Sequence, residues 1–268
     1  MVGGADEARQ LDSMQLLERQ TRDFRVMNRG LFAVTLFIAV LAVGAYGGEG
    51  AAAPLVFYAT TSGNLAYDED AAGGNPFASA LIEAFAAPEV TLSDLSRELP
   101  DLTLAKSRKQ QTPELPSIDK PALLSLDLKS SHERRVALVL GISHYLPEGN
   151  VPSLPGVAYD VRRIAKALEA SGFVTQAVID PDKRALRQQL QAFSVRSRGA
   201  DISVLYATGH SVEVNGGIHL LFGDFPLREG RLALEKHSVP IAVLVNAGRS
   251  RRANLVFYGG CRNNPFTP

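Results

Sequence analysis

The chain has 268 residues, 46% of them hydrophobic, which is enough to bury a substantial core in one large domain or two small ones. Its 28 basic residues balance its 28 acidic ones, so no global field favours nucleic acid, and the short clusters Arg249–Arg252 and Lys106–Lys109 read as solvated loops. A single cysteine excludes an intramolecular disulfide and a four-thiolate zinc site.

Residues 1–29 form a charged segment in which Leu11, Met14, Leu17 and Phe24 make a partial helical stripe, read as a surface or cytoplasmic helix. Gly30–Gly48 then carries no charge, and Leu31–Val43 is apolar apart from Thr35, close to the ~20 residues that cross a bilayer as a helix. Arg19, Arg22, Arg25 and Arg29 precede this run and no basic residue follows until Arg97, which puts the N-terminus in the cytoplasm and the remainder outside. The expectation is a membrane anchor through residues 31–47 with an extracytoplasmic domain. A start at Met27 would instead give a signal peptide with small residues at Ala45–Gly47 or Ala51–Ala53, and a secreted or periplasmic protein; Pro54 disfavours cleavage at the second site. A buried core helix is the third reading.

Leu55–Thr60 is a strand by its β-branched and aromatic content. After a turn-rich loop, Asn75-Pro76 caps a helix over Phe77–Ala86, with Leu81 and Phe85 on one face, and a second helix follows over Leu92–Leu99. Prolines at 100, 113, 116 and 121 make Pro100–Lys129 a loop with room for one short edge strand. From Arg135 strands and helices alternate. Arg135–Gly141 is a buried strand, Tyr159–Ala170 a helix with Val161, Ile164, Ala165 and Leu168 inward, and Phe173–Ile179 the next strand. Asp180-Pro181 caps a helix carrying Leu186, Leu190 and Phe193, and Ala200–Ala207 is a strand. Asn215-Gly216-Gly217 between Val212–Val214 and Ile218–Leu221 signals a hairpin, and a weaker helix precedes the last strand, Ala253–Tyr258. Such alternation predicts an α/β fold with a mostly parallel sheet covered on both faces.

His210 and Cys261 each follow a buried strand, and open parallel sheets place their chemistry at those carboxyl ends. A thiol needs a neighbouring base or positive charge to act as a nucleophile near neutral pH, and an imidazole from the adjacent strand could supply it. Cys261 lies among glycines, Arg262 and two asparagines, an unusual setting for an inert core cysteine, so the pair is a candidate dyad.

Over Arg135–Phe266 the chain resembles the caspase and metacaspase clan, most closely bacterial caspase-like proteins. The residues that carry the likeness are Gly141-Ile142-Ser143-His144-Tyr145, Ala158-Tyr159-Asp160 on a helix, Gly209-His210, and Cys261-Arg262-Asn263-Asn264-Pro265-Phe266. About 50 residues separate His210 from Cys261, the interval between that clan's histidine and cysteine. The small-subunit portion that follows the cysteine in the family resembles residues 54–119 instead, with Ala59-Thr60, Gly63, Ala66, Asp68, Asn75-Pro76-Phe77 and Gln111-Thr112-Pro113. The order resembles the circular permutation of type III metacaspases, with residues 120–133 as linker and 134–268 as the large-subunit portion, and it predicts that no activating cut is needed.

The resemblance implies a three-layer caspase-like sandwich and peptide-bond hydrolysis through a His210–Cys261 dyad and an acyl-enzyme, with no metal or cofactor. A protein or peptide is the implied partner, and no nucleic acid. Asp68, His144, Ser211 and Gly260 make the candidate substrate-binding set; Asp68 reads equally as a solvated turn residue beside Glu69 and Asp70, and Gly209 and Gly260 also suit tight turns. His132, His219 and His237 are read as structural. The sequence departs from the family at Ser211, where glycine usually follows the histidine, and at Gly259, where metacaspases carry an aspartate that helps bind a basic P1 side chain. P1 preference is therefore left open, and a catalytically inactive, membrane-associated interaction module is the competing reading.

Overall fold

A computed structural model describes residues 50–266, save 72 and 131. The charged segment 1–29 and the apolar run 31–47, and with them the anchor, signal and core-helix readings, lie outside the described residues. Among the described residues no helix is long and apolar enough to cross a membrane.

In chain order the described strands are β1 (Pro54–Tyr58), β2 (Arg135–Gly141), β3 (Val174–Ile179), β4 (Ile202–Thr208), β5 (Ser211–Val214), β6 (Gly217–Leu221), β7 (Ser238–Pro240) and β8 (Ala253–Tyr258). The described α-helices are α1 (Pro76–Ala86), α2 (Leu92–Lys106), α3 (Pro121–Leu124), α4 (Pro155–Ala170), α5 (Lys183–Arg198), α6 (Leu234–His237) and α7 (Ile241–Val245). Five strands pair in parallel in the order β1-β8-β4-β2-β3, and β5-β6-β7 make a small antiparallel sheet.

β2, β4 and β8 are buried along their whole length, which is why they read as unbroken apolar runs. Alternate residues enter two separate cores. Val139, Val204, Tyr206, Leu255 and Phe257 share one with α1, α2 and α4. Leu138, Leu140, Leu205, Val256 and Tyr258 share the other with α5, α7 and the small sheet. The architecture is the expected α/β sandwich of a caspase-like fold.

β1 lies directly beside β8, in register from Pro54 opposite Asn254 to Tyr58 opposite Tyr258. Phe57 stacks on Phe257 with ring centroids 4.8 Å apart, and Phe85 meets Phe257 edge-on at 6.3 Å. Such pairs contribute about 0.5–1.5 kcal/mol each beyond their buried area.

Three local readings are corrected. The second helix does not stop before Pro100 but runs through it to Lys106, because Leu92, Leu95, Leu99 and Thr103 form a buried stripe spanning the proline and Thr91 and Asp94 close a capping box at its start. Asp180 does not cap the following helix. That role belongs to Asp182, whose Oδ1 accepts from Ala185 N–H at 2.7 Å, while Asp180 turns back to accept the N–H groups of Ser143 (2.6 Å) and His144 (3.0 Å). The region after Phe222, read as one weak helix, holds two short helices and the edge strand β7, which contributes Val239 to the second core.

Candidate active site

β4 and β8 are neighbours in parallel register, with Ala207 opposite Tyr258, so His210 and Cys261 leave the sheet at the same level. Gly209, at φ 147°, turns the chain toward β5, where an added Cβ would press on the Ile142 carbonyl and Leu220. His210 is then gripped twice. Its backbone N–H donates to Tyr145 Oη at 2.8 Å, and its ring meets the Tyr145 ring edge-on at 4.8 Å. On the other side, ring Nε2 is 2.9 Å from the Pro152 carbonyl. A carbonyl can only accept, so Nε2 carries the proton and the Nδ1 lone pair is left as the base. Burial lowers the imidazole pKa below its ordinary value, against the opposing Pro152 bond, which keeps the ring neutral near pH 7.

Cys261 is held from several directions. Gly260 is buried, and a Cβ there would overlap Ser211 Oγ and the Tyr258 hydroxyl. Ser211 Oγ donates to the Cys261 carbonyl at 2.6 Å, so the residue following His210 is bonded to the cysteine itself. The thiol accepts from Ala66 N–H (3.4 Å) and donates to Ala66 C=O (3.5 Å). Among the described residues no hydrogen bond joins Cys261 to His210. Burial pushes the thiol pKa up, the Ala66 N–H opposes this, and the Asp68 charge adds to the rise. At rest the thiol and the imidazole are therefore both neutral.

Arg262 anchors the same loop. Its Nε donates to Glu213 at 2.9 Å, its guanidinium reaches Glu114 at 2.7 Å, and its Cζ lies 4.5 Å from the Tyr58 ring centroid. Backbone bonds from Gly63 N–H to Arg262 C=O (3.0 Å) and from Arg262 N–H to Asn64 C=O (2.9 Å) lay the loop after β1 across the cysteine segment. The Leu221 N–H bond to His210 C=O makes Ser211 and Leu220 a non-hydrogen-bonded pair, so Ser211 N–H points away from β6. Glu213 N–H, on that same side, donates to Asn263 C=O at 3.0 Å.

The proposed substrate-binding residues separate into groups. Ser211 and Gly260 are buried packing partners of Cys261, pressed together at Ser211 Oγ. Asp68 is half-buried with its pKa raised by burial and then by Glu69, so it is not a freely solvated turn residue. His144 does not join the pair: its side chain is exposed and lines a separate depression of about 270 Å³ with Asp180, Phe222 and Lys236. His219 Nδ1 lies 3.2 Å from Ser238 Oγ and His237 Nδ1 2.9 Å from Asp224, both away from Cys261.

Sequence reasoning assigned no role to Tyr145, Pro152 or Ala66, since two of these act through backbone atoms. It noted Gln111 and Asp160 only as part of the resemblance, and Asn75 also as the cap of α1, yet all three fix the loop that carries Ala66. Gln111 donates to Ala59 C=O (3.0 Å) and accepts from Tyr67 N–H (2.8 Å). Asn75 Nδ2 donates to Tyr67 C=O (2.7 Å) and Gly259 C=O (3.3 Å), and its own N–H donates to the fully buried Asp160 (2.8 Å). Burial raises the Asp160 pKa to about 7, against the Asn75 and Arg163 interactions. Among the described residues no cluster of three or more His, Cys, Asp or Glu side chains is disposed to hold a metal ion.

The family model for the caspase domain matches residues 134–237, a span that contains His210, Tyr145 and Pro152 and ends before Cys261. No curated protein matches the chain. With the parallel sheet and the paired strand ends, this match supports a caspase/metacaspase-like protein, with a caspase domain recognised over residues 134–237.

Proposed function

We propose that the chain is a cysteine endopeptidase in which His210 serves as base and Cys261 as nucleophile. The observation that carries this reading is the bond from His210 Nε2–H to Pro152 C=O, which leaves Nδ1 unprotonated while Ser211 ties Cys261 to the residue after His210. Nδ1 takes the Sγ proton as sulfur attacks the scissile carbonyl carbon, and the C=O π pair moves onto oxygen. The N–H groups of Ser211 and Cys261 receive that oxyanion; one such donor is worth ~3 to 4 kcal/mol in other hydrolases. The imidazolium then protonates the departing amine as the C–N bond breaks, leaving a thioester. A water gives its proton to Nδ1 and adds to the thioester, and the thiolate leaves and regains the proton.

In this reading residues 54–119 are a small-subunit portion placed ahead of the large one, supported by β1 extending the sheet at β8 and by the Ala66 loop closing over the thiol. The chain needs no activating cut, and the linker is residues 120–133. A membrane anchor over residues 31–47 with an extracytoplasmic domain is supported by the uncharged run and the four preceding arginines.

The double contact of the thiol with Ala66 favours a second reading, an inactive caspase-like module. Peptides with basic and acidic P1 residues, offered to wild type and to Cys261→Ala, separate the two. The peptidase reading expects cleavage that falls by on the order of 10⁴ or more in the variant. Labelling of Cys261 by an electrophile with no cleavage of any peptide would establish the second reading. Activity that appears only after a cut within residues 120–133 would overturn the no-cut proposal.

A further inference from the structure

We infer that Tyr145 and Ser153 are positioning residues for His210, forming a clasp that sets which ring nitrogen carries the proton. Its functional consequence rests on the peptidase reading; the geometry does not. The two groups that grip His210 come from opposite limbs of one loop. Tyr145 stands on the limb leaving β2, and Pro152 on the limb that leads into α4.

Ser153 joins those limbs. Tyr145 N–H donates to Ser153 Oγ at 3.0 Å, and Ser153 Oγ reaches back to Tyr145 C=O at 3.4 Å. A second rung lies alongside, with Leu154 N–H donating to Ser143 C=O (2.8 Å) and Ser143 Oγ donating to Leu154 C=O (3.1 Å). The first limb is pinned from behind by Asp180, which accepts both Ser143 N–H and His144 N–H. Pro152 therefore cannot move without Ser153, and Ser153 cannot move without Tyr145.

Tyr145 is 2% exposed, and its hydroxyl works in both senses. It accepts from His210 N–H and donates to Leu221 C=O at 3.3 Å. Phenylalanine would keep the ring contact and lose both bonds. His210 would then be held less firmly between β4 and β5 while the Pro152 carbonyl drifted from Nε2. A neutral imidazole freed from that carbonyl can carry its proton on Nδ1, which removes the lone pair a base needs.

The test uses the full chain with ¹⁵N-labelled histidine, comparing wild type, Tyr145→Phe, Ser153→Ala and Ser153→Thr by ring ¹⁵N shifts above pH 8. Wild type should show His210 protonated at Nε2 alone. Tyr145→Phe and Ser153→Ala should show a mixture of tautomers, and Ser153→Thr, which keeps a hydroxyl, should restore the wild-type pattern. On a cleaved peptide kcat should fall about 10- to 100-fold with KM unchanged, the scale of a small misplacement of a catalytic group. If both variants keep the pure Nε2–H tautomer, the clasp is overturned whatever happens to activity. If Tyr145→Phe fails to fold, Ser153→Ala alone decides. Wild type that cleaves no peptide would remove the peptidase reading and leave the tautomer result standing.

Discussion

His210 takes every contact described above from within the caspase-domain match: Tyr145, Pro152 and Leu221 all lie between residues 134 and 237. Cys261 lies beyond that match and is held largely by distant segments: Ala66, and through Arg262, Glu114 and the Tyr58 ring. The base is thus oriented by a local loop, and the nucleophile by contacts that exist only when the whole sheet has assembled. Partial damage to the fold should release the thiol while the imidazole keeps its geometry.

Arg262→Ala should loosen Cys261 most strongly while sparing His210. It leaves Glu213, 12% exposed, without its cation and removes the Tyr58 contact, at a cost of about 3 kcal/mol, the low end for a broken buried pair because Glu114 is about half exposed. Urea unfolding should register that loss and peptide cleavage should vanish, while the His210 ring ¹⁵N shifts stay at wild-type values. Shifts that move together with stability would show that the restraints on His210 and on Cys261 are one unit.

Asp160→Asn probes the junction, since Asp160 holds Asn75 and Asn75 holds Gly259. A carboxyl whose folded pKa is raised from 3.8 to about 7 binds more protons in the folded state, so its contribution to stability is full below pH 4 and falls as pH rises to 7. Asparagine removes that penalty. The variant should gain on the order of 2 kcal/mol over wild type at pH 8, and the gain should shrink steadily toward pH 4. A gain that is flat with pH would deny the buried carboxylate its role.

Ser211→Ala removes the bond to the Cys261 carbonyl and should cost ~1 kcal/mol, with the His210 tautomer unaltered. The smallest effect expected is on the pH profile. The acid limb of kcat/KM should have its midpoint somewhat below 6.5, because burial lowers the imidazole, and alkylation of Cys261 should still be rising above pH 9 because the thiol is raised. Fast alkylation at pH 6 would reveal a preformed thiolate–imidazolium pair.

The strands were legible because burial on both faces writes itself as continuous Val, Leu, Ile and Phe, and the hairpin because Asn215-Gly216 suits its turn. The helix through Pro100 was not, since the buried stripe that carries it is a tertiary effect overriding a local preference. In the site, His210 and Cys261 stood out by residue type and strand position. Their restraints did not: a carbonyl at Pro152, an amide at Ala66 and the N–H of Ser211 belong to the backbone, which any side chain would equally supply. Ser211 drew notice as a departure from glycine, and its buried hydroxyl is bonded to the cysteine loop.

Ala52 and Asn254, joined by a bond from Asn254 Nδ2, are 202 positions apart, and β1 can pair only once β8 has been synthesised. A nascent chain must therefore keep an apolar strand unmatched until β8 has been made, a long-range closure of the kind that folds slowly and is prone to misassembly. Under the peptidase proposal that delay is also a safeguard. A polypeptide that has not yet reached β8 holds the imidazole without the sulfur.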